Sequence, residues 1–520
     1  MAPPRARPRP TSSSTVWPVG ARIHPRSIEE ISRQRWFAGK ARTVLRVEVK
    51  DRLPMPGRNG PWFDLLLEVT IEGGRPSWYS VPVIRSSGNA AIEGSSGLHI
   101  ASESPPDEGI EVATVPGFAS VVVDGILHER TYRGLGGKLE GQRFAARPDA
   151  VAGTPSETIR PLGVEQSHTS LRIGERWVLK LFRELTLGTN PDVEVPLHLA
   201  RHTKFRAFPQ PVGCLTYRPS LGAETTVASL MEFEPNRGDA WTYFTSHLGT
   251  LGNGHSPAAQ ARLTRAIHAI GCVTADLHVA LADPAPGSRA FQPRTVSRAD
   301  TQGWERDWRS EARLTLAELD ARSQGLEDPL RAWALRVLRG RTTLLSFASI
   351  VRTAATEPLY QTRIHGDLHL GQILVGRRGF LILDFEGEPD RPADERRARQ
   401  LPLIDLGGIL RSLDYVAHAP RITDSTLPSD QRRSAADAWS EAAGQAFLRA
   451  YLARVRATRL PISWIPRDPG SWRSLLDFFV VKKLLYELRY ELGHRPDWLS
   501  VPLRALAQWV DSRAAANAGE

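Results

Sequence analysis

The period of the apolar positions changes twice along the chain. In "LRVEVKD", "FDLLLEVTIEGG" and "SWYSVPVI" apolar and polar residues alternate, the two-residue repeat of strands with one buried face. This predicts an antiparallel sheet, entered through a short helix over "SIEEISRQRWFAGKAR" that ends near Gly39. After Val164 the run "EQSHTSLRIGERWVLKLFREL" predicts a β-hairpin, with Gly174 and Glu175 in its turn and Trp177, Leu179 and Leu181 on one face. "NPDVEVPLHLARH" follows as a helix capped by Asn190, with Pro191 in its first turn, and "TTVASLMEFEP" as another strand. From Asp239 onward the period lengthens to that of a helix. In "ARLTRAIHAIGCVTADLHVALA" the residues Leu263, Ile267, Ile270 and Leu277 share a face, and "RAWALRVLRGRTTLL" and "LLDFFVVKKLLYELRYELGHR" follow the same rule. The glycine-rich "YRGLGGKLEG" lacks the Lys-Ser/Thr ending of a phosphate loop and reads as a mobile linker. The pattern predicts an α+β chain in four parts: a tail (1–19), a mainly β opening module (20–150), a small α/β part (151–235) and a large helical part (236–512).

Composition narrows this picture. A chain of 520 residues exceeds one compact core, so two or three subdomains are expected. No run of about 18 apolar residues occurs, so no membrane span is expected. Two cysteines, Cys214 and Cys272, exclude a disulfide framework and a cysteine-based zinc site and fit a reducing cytoplasm. The start, "MAPPRARPRPTSSSTVWP", has no apolar segment behind its arginines and reads as a disordered tail, not a secretory signal. The formal charge of +10 admits a nucleic-acid partner, but the basic residues are spread along the chain instead of interleaved with aromatics in one patch, and on the whole sequence no nucleic-acid partner is expected. It fits equally an arginine-rich composition or a basic cleft for a polyanion such as a nucleoside triphosphate.

The chemistry concentrates in "RIHGDLHLGQILVGRRGFLILDFEGEP". Asp367 falls on a loop, and a two-strand hairpin then brings Asp384 back to the same edge. Two carboxylates so placed suit phosphoryl transfer, in which one takes the proton of the acceptor hydroxyl and the other holds Mg²⁺. Gln372, five residues past Asp367, supplies an amide oxygen as a second magnesium ligand. A phosphate-contacting lysine and a glutamate to hold it should lie upstream; Lys180 in "WVLKLF" and Glu194 in the next helix fill those places. Two alternatives stand beside this reading. His365, Asp367 and His369 form a His-x-Asp-x-His that suits zinc. A catalytically silent binding protein is the other, against which the intact Lys180, Asp367, Gln372 and Asp384 count.

These motifs resemble those of the maltokinases, a branch of the aminoglycoside-phosphotransferase-like kinases whose fold is similar to that of eukaryotic protein kinases. The resemblance runs through "RQRWFAGKAR", "QSHTSL", "WVLKLFREL", "NPDVEV", "TADLHVALA", "HGDLHLGQIL", "DFEGEP", "GGILRSLDYVAH" and "YELRYELGHRPDWL". It implies a bilobal kinase-like fold with a mainly β N-terminal cap and a large helical C-terminal lobe. The implied activity is ATP- and Mg²⁺-dependent phosphorylation of maltose at its anomeric hydroxyl, giving maltose 1-phosphate for α-glucan synthesis, with trehalose synthase as a possible partner. By position Asp367 resembles the catalytic base, Gln372 and Asp384 the metal ligands, and Lys180 and Glu194 the phosphate lysine and its helper. Ser167 and Thr169 lie in the turn that covers the phosphates, and Met231 to Phe233 in the segment that meets adenine. The acceptor side is assigned to His365, Glu487, Tyr490, Glu491 and Trp498, of which Glu487, Tyr490 and Glu491 share one helical face. Asp405 is expected to be a buried acid supporting the catalytic loop, and His278 a satisfied core histidine. Two departures from the pattern are His168 where Asn is usual and Leu401-Pro402-Leu403-Ile404-Asp405 where an arginine usually precedes the aspartate. The neighbouring glucosamine kinases share H-G-D-x-H-x-G-Q and the late Tyr-Glu and Trp positions, and a carboxylate pair would also suit an amino sugar.

Overall fold

The structure is a computed structural model that describes residues 19–37, 42–57, 60–85, 99–101, 108–144, 158–163, 168–248, 257–283, 289–355, 357–389, 391–419, 429–458 and 460–518. The basic tail lies outside them. The chain divides into two compact units, Met1–Leu197 with Pro209–Glu234, and His198–Phe208 with Pro235–Glu520.

In the first unit α1 (Pro25–Arg33) leads to β1 (Val44–Gly57), β2 (Gly60–Ile71), β3 (Ser77–Arg85), β4 (His99–Ala101), β5 (Glu108–Glu111) and α2 (Pro116–Leu127). Then follow β6 (Thr131–Arg133), β7 (Gly137–Arg143), β8 (Ile159–Pro161), β9 (His168–Ile173), β10 (Trp177–Phe182), β11 (Glu184–Leu185), α3 (Pro191–His202), β12 (Pro211–Pro219) and β13 (Thr225–Glu232). One sheet runs β1-β2-β3-β5-β4 with β11 added beside β3, and the other β6-β7-β12-β13-β10-β9-β8. Every pairing is antiparallel. α2 is apolar on most sides, with Pro116, Ser120 and Asp124 along the one stripe that meets water. Its Phe118, Val122 and Ile126 share one core with Met55 and Trp62 of the first sheet and Leu215 of the second. Each such side chain contributes roughly 1.5–3 kcal/mol by leaving water.

Two local expectations change. α1 stops at Arg33, short of Gly39. The glycine-rich "YRGLGGKLEG" is the β6–β7 hairpin and not a mobile linker, and β7 pairs with β12, so the second sheet already begins at Thr131. The reason is a buried carboxylate. Asp51 accepts from the Leu135 N–H at 2.9 Å and the Tyr217 hydroxyl at 3.0 Å, and a Cβ on Gly134 would stand 2.4 Å from it. The glycine lets the chain close over Asp51.

In the second unit β14 (Asn236–Asp239), α4 (Ala240–Leu248), α5 (Pro257–Ala282), β15 (Arg294–Thr295), α6 (Arg298–Ser323), α7 (Leu330–Arg339), α8 (Arg341–Phe347) and α9 (Ile350–Ala354) come first. β16 (Tyr360–Gln361), β17 (Ile373–Gly376), β18 (Gly379–Ile382), α10 (Ala393–Arg396), α11 (Leu403–Ala417), α12 (Ser429–Ala457), α13 (Pro469–His494) and α14 (Ser500–Ala518) complete it. The predicted hairpin after Asp367 is β17–β18, extended to three strands by β14. α13 packs on α6 through Trp308, fully buried and stacked on Phe478 with centroids 4.7 Å apart. No helix among the described residues is long and apolar enough to cross a membrane.

A pH effect on stability comes from Asp64 on β2, which is buried and accepts from Ser80 Oγ at 2.7 Å. Burial pushes its carboxyl up to about 7, against the pull of Ser80 and Arg183. An unfolded aspartate ionises near pH 4, so between about pH 4 and 7 the unfolded chain releases a proton that the folded one retains. Stability falls across that window, by up to about 4 kcal/mol from this group. Asp64→Asn, which cannot ionise, should gain thermal stability relative to wild type between pH 4.5 and pH 8. An identical difference at both pH values would contradict this.

Candidate active site

In the first unit Lys180 lies mid-strand on β10, opposite Ser170 of β9 and Ser229 of β13. Alternation sends Leu179 and Leu181 into the core and Lys180 to the other face, where its ammonium is 3.0 Å from Asp192 Oδ2. Asp192 occupies the first turn of α3, and its own N–H donates to the Asn190 side chain at 2.8 Å, which bears out the predicted cap. Asp192, two residues before the expected Glu194 in the same first turn, is thus a partner of the lysine. Thr169 sits on β9 opposite Leu181; Ser167 lies outside the described residues. Met231, next to last on β13, lies opposite Val178. The N–H groups of Glu232 and Phe233 are already given to Gln210 O and Arg176 O, at 2.8 and 2.7 Å.

In the second unit the loop carrying Asp367 is fixed by Asp405, in the first turn of α11. Its two oxygens accept from the backbone N–H of His365 and of Gly366, each at 2.8 Å. Gly366 holds φ +86°, a conformation that costs glycine nothing. His278 Nε2 reaches Asp405 at 3.0 Å, His278 Nδ1 meets the Tyr451 hydroxyl at 2.8 Å, and Trp464 Nε1 donates to that hydroxyl at 2.8 Å. The chain of donors runs Trp464, Tyr451, His278, Asp405, each residue almost wholly buried. Burial works to raise the Asp405 carboxyl, but the His278 hydrogen bond, the nearby histidines and the Gly366 N–H outweigh it and hold it below the usual range. Asp405 is thus the supporting acid expected, and His278 the satisfied histidine.

His365 departs from its assignment to the acceptor. It is 1 % exposed, its Nε2 donates to Leu383 O at 2.7 Å, and its Nδ1 accepts from the Asp367 N–H at 3.3 Å. It ties the Asp367 loop to the strand end before Asp384. With both nitrogens on the backbone it cannot also ligate zinc, which removes the His-x-Asp-x-His alternative. His369 accepts from the Gly371 N–H, and burial keeps its pKa below the ordinary histidine value.

Gln372 meets the Asp384 segment twice. Its carbonyl accepts from the Leu383 N–H at 2.9 Å, and its Nε2 donates to Asp384 Oδ2 at 2.9 Å. Asp384 has φ +58°, a conformation that costs a non-glycine residue energy and is held only by surrounding structure. With the amide nitrogen turned to Asp384, the hard oxygens of Gln372 and Asp384 form a donor set that fits Mg²⁺.

Three charged residues at Asp367 were not foreseen. Lys483 of α13 lies 3.3 Å from Asp367 Oδ1 and 2.5 Å from Glu388 Oε1, and Arg391 donates to Glu388 Oε2 at 2.5 Å. Burial opposes the Lys483 ammonium, but Asp367 and Glu388 outweigh it and raise its pKa; in turn Lys483 and Arg391, against burial, bring Glu388 down to about 2. The sequence signal was the lone lysine pair Lys482-Lys483 in an apolar helix.

The late helix does not offer the open carboxylates expected of it. Glu487 accepts from Arg411 Nε at 2.7 Å. Glu491, 1 % exposed, accepts from the Tyr415 hydroxyl at 3.1 Å and from Arg495 at 2.8 and 3.0 Å. Both are framework for the aromatics beside them. Trp498 is half-buried, stacked on Tyr415 with centroids 6.0 Å apart and tilted against Trp241 at 6.0 Å, while Tyr490 stacks between Tyr486 and His494.

The fold and these motifs define a kinase-like phosphotransferase. A solved glucosamine kinase in complex with glucosamine, ADP and inorganic phosphate has this fold, with a TM-score of 0.58 at 23% identity over 89% of this chain and 93% of that one. The chain is 30% identical to the glucosamine kinase of Mycolicibacterium smegmatis (strain ATCC 700084 / mc(2)155) over 353 residues, 68% of this chain and 79% of the relative. It is 31% identical to that of Streptacidiphilus jiangxiensis over 384 residues, 71% of this chain and 79% of the relative. No family model matches. The chain belongs to the glucosamine kinase family, a family of sugar phosphotransferases.

Tyr451→Phe should leave His278 and Trp464 each short of a partner in a dry core, at about 1–3 kcal/mol. The measurement is chemical denaturation; a midpoint within error of wild type would contradict the donor chain.

Proposed function

We propose that the protein is an ATP- and Mg²⁺-dependent sugar kinase of the cytoplasm whose acceptor is glucosamine. The observation that carries this reading is the His365-Gly366-Asp367 loop, held by Asp405 and tied through His365 to the strand end that presents Asp384. Asp367 takes the proton of the acceptor hydroxyl as its oxygen bonds to the γ-phosphorus and the bond to the β–γ bridging oxygen breaks, releasing ADP. Lys180, fixed by Asp192, holds the nucleotide phosphates. Gln372 and Asp384 hold Mg²⁺, which when bound neutralises phosphate charge. The adenine-side role stays with the backbone of Met231 to Phe233, through groups other than the N–H of Glu232 and Phe233.

Two supports favour glucosamine: two relatives at 30% and 31% identity are glucosamine kinases, and a solved glucosamine kinase of the same fold is in complex with glucosamine. Maltose, giving maltose 1-phosphate, is the second reading and rests on the series of maltokinase-like motifs. The Tyr415–Trp498 stack would make an apolar platform for either sugar.

The test is ATP consumption with Mg²⁺ on glucosamine, glucose and maltose, with phosphorus NMR of the products. Turnover on glucosamine at least about tenfold more efficient than on maltose is expected, since one set of polar contacts discriminates by that much or more. Turnover confined to maltose with an anomeric phosphate would overturn the acceptor. No turnover on any sugar, with Mg²⁺-dependent nucleotide binding intact, would overturn the enzyme reading.

A further inference from the structure

The contacts of Asp367 are unequal on its two oxygens. Oδ1 is 3.3 Å from the Lys483 ammonium, whereas that ammonium is 2.5 Å from Glu388. Glu388 is in turn held by Arg391, and Lys483 stands one turn before Glu487, which Arg411 occupies. The row therefore alternates in sign: Asp367, Lys483, Glu388, Arg391. The Lys483 side chain keeps 24% of its surface exposed and that of Asp367 22%, so the pair sits at the edge of the acceptor side instead of in the core.

We propose that Lys483, drawn back by Glu388 and Arg391, is a positioning residue for Asp367: it engages Oδ1 and leaves Oδ2 to receive the hydroxyl proton. A carboxylate on a loop turns freely about its last bond, and a fixed cation on one oxygen removes that freedom. Glu388 holds the ammonium at 2.5 Å from itself and 3.3 Å from Asp367, which keeps the orienting contact without full charge pairing at the base. The row is neutral in sum, so a cationic acceptor such as an amino sugar meets no net repulsion from Lys483. Other charged or titratable groups facing the pair are His369 beside Asp367, and Glu487, Lys482 and the ring of Tyr486 beside Lys483.

This inference rests on Asp367 as the base, so the experiment separates the two. Asp367→Asn is assayed first; turnover near wild type would sink the base reading itself. With Asp367→Asn inactive, Lys483→Met, Lys483→Arg and Glu388→Gln are compared by kcat, KM and the pH profile of kcat, with Mg²⁺–nucleotide thermal shifts reporting folding. Lys483→Met should lower kcat about 10- to 100-fold with sugar KM changed less than about threefold, the mark of a lost transition-state contact. Its acidic limb should move to higher pH, because loss of the cation favours the protonated carboxyl. Lys483→Arg should restore most of both. Glu388→Gln should move the limb the opposite way, since the ammonium is released toward Asp367, and this variant decides the matter alone if Lys483→Met does not fold. Limbs that stay in place in both variants, or move in the same direction, would overturn the proposal.

Discussion

A carboxylate that accepts two adjacent backbone N–H groups fixes both the position and the direction of the chain that carries them, and Asp405 does this for the residues immediately before Asp367. The arrangement works because the acid is itself immobile. It projects from the first turn of a buried helix, where the unpaired N–H groups favour negative charge, and its remaining lone pairs are met by His278. Behind His278 stand Tyr451 of α12 and Trp464, so three separate segments converge on one carboxylate. A buried charge is tolerated when hydrogen bonds satisfy it fully, and the depressed Asp405 pKa reflects that satisfaction. Phosphoryl transfer is largely positioning and electrostatics, and a loop anchored in this way has the rigidity such a step needs.

From that anchor the remaining functional groups follow along short covalent paths. His365 ties the loop to the end of β18, and Gln372 makes a main-chain and a side-chain bond to the same segment. Asp384 is thereby held in a left-handed conformation that a free loop would leave. The hairpin carries the chain to Asp384 just past the strand end that His365 bonds. In the first unit the logic is simpler: one lysine among apolar strand residues, its charge answered from the first turn of the next helix.

What the sequence revealed divides by range. The strand alternation around Lys180, the Asn190 cap, the β17–β18 hairpin and the supporting role of Asp405 depend on spacing within about twenty residues or on motif order, and they were legible. Asp192 as a partner of Lys180 went unnoticed because it stands two residues past the Asn190 cap, where it reads as an ordinary first-turn acid. The glycine-rich run misled because its composition speaks of freedom, whereas here the glycines make room for Asp51, more than eighty residues upstream. Lys483 against Asp367, 116 residues away, and Tyr415 against Glu491, 76 residues away, leave no mark in local pattern. That is why Glu487 and Glu491 looked like open sugar ligands: their helical face was right, but their partners lie on α11 and at Arg495.

The most direct measurement is hydrogen–deuterium exchange at the His365 and Gly366 amides in wild type and in Asp405→Asn, read beside kcat. An asparagine keeps the size but places an N–H₂ where an acceptor is needed, so one bond to the loop becomes a repulsion. If Asp405 fixes the base, both amides should exchange at least about tenfold faster, since one lost bond of this kind is worth over 1.4 kcal/mol, and kcat should fall in step. Unchanged exchange together with unchanged kcat would show that the loop holds its shape without Asp405.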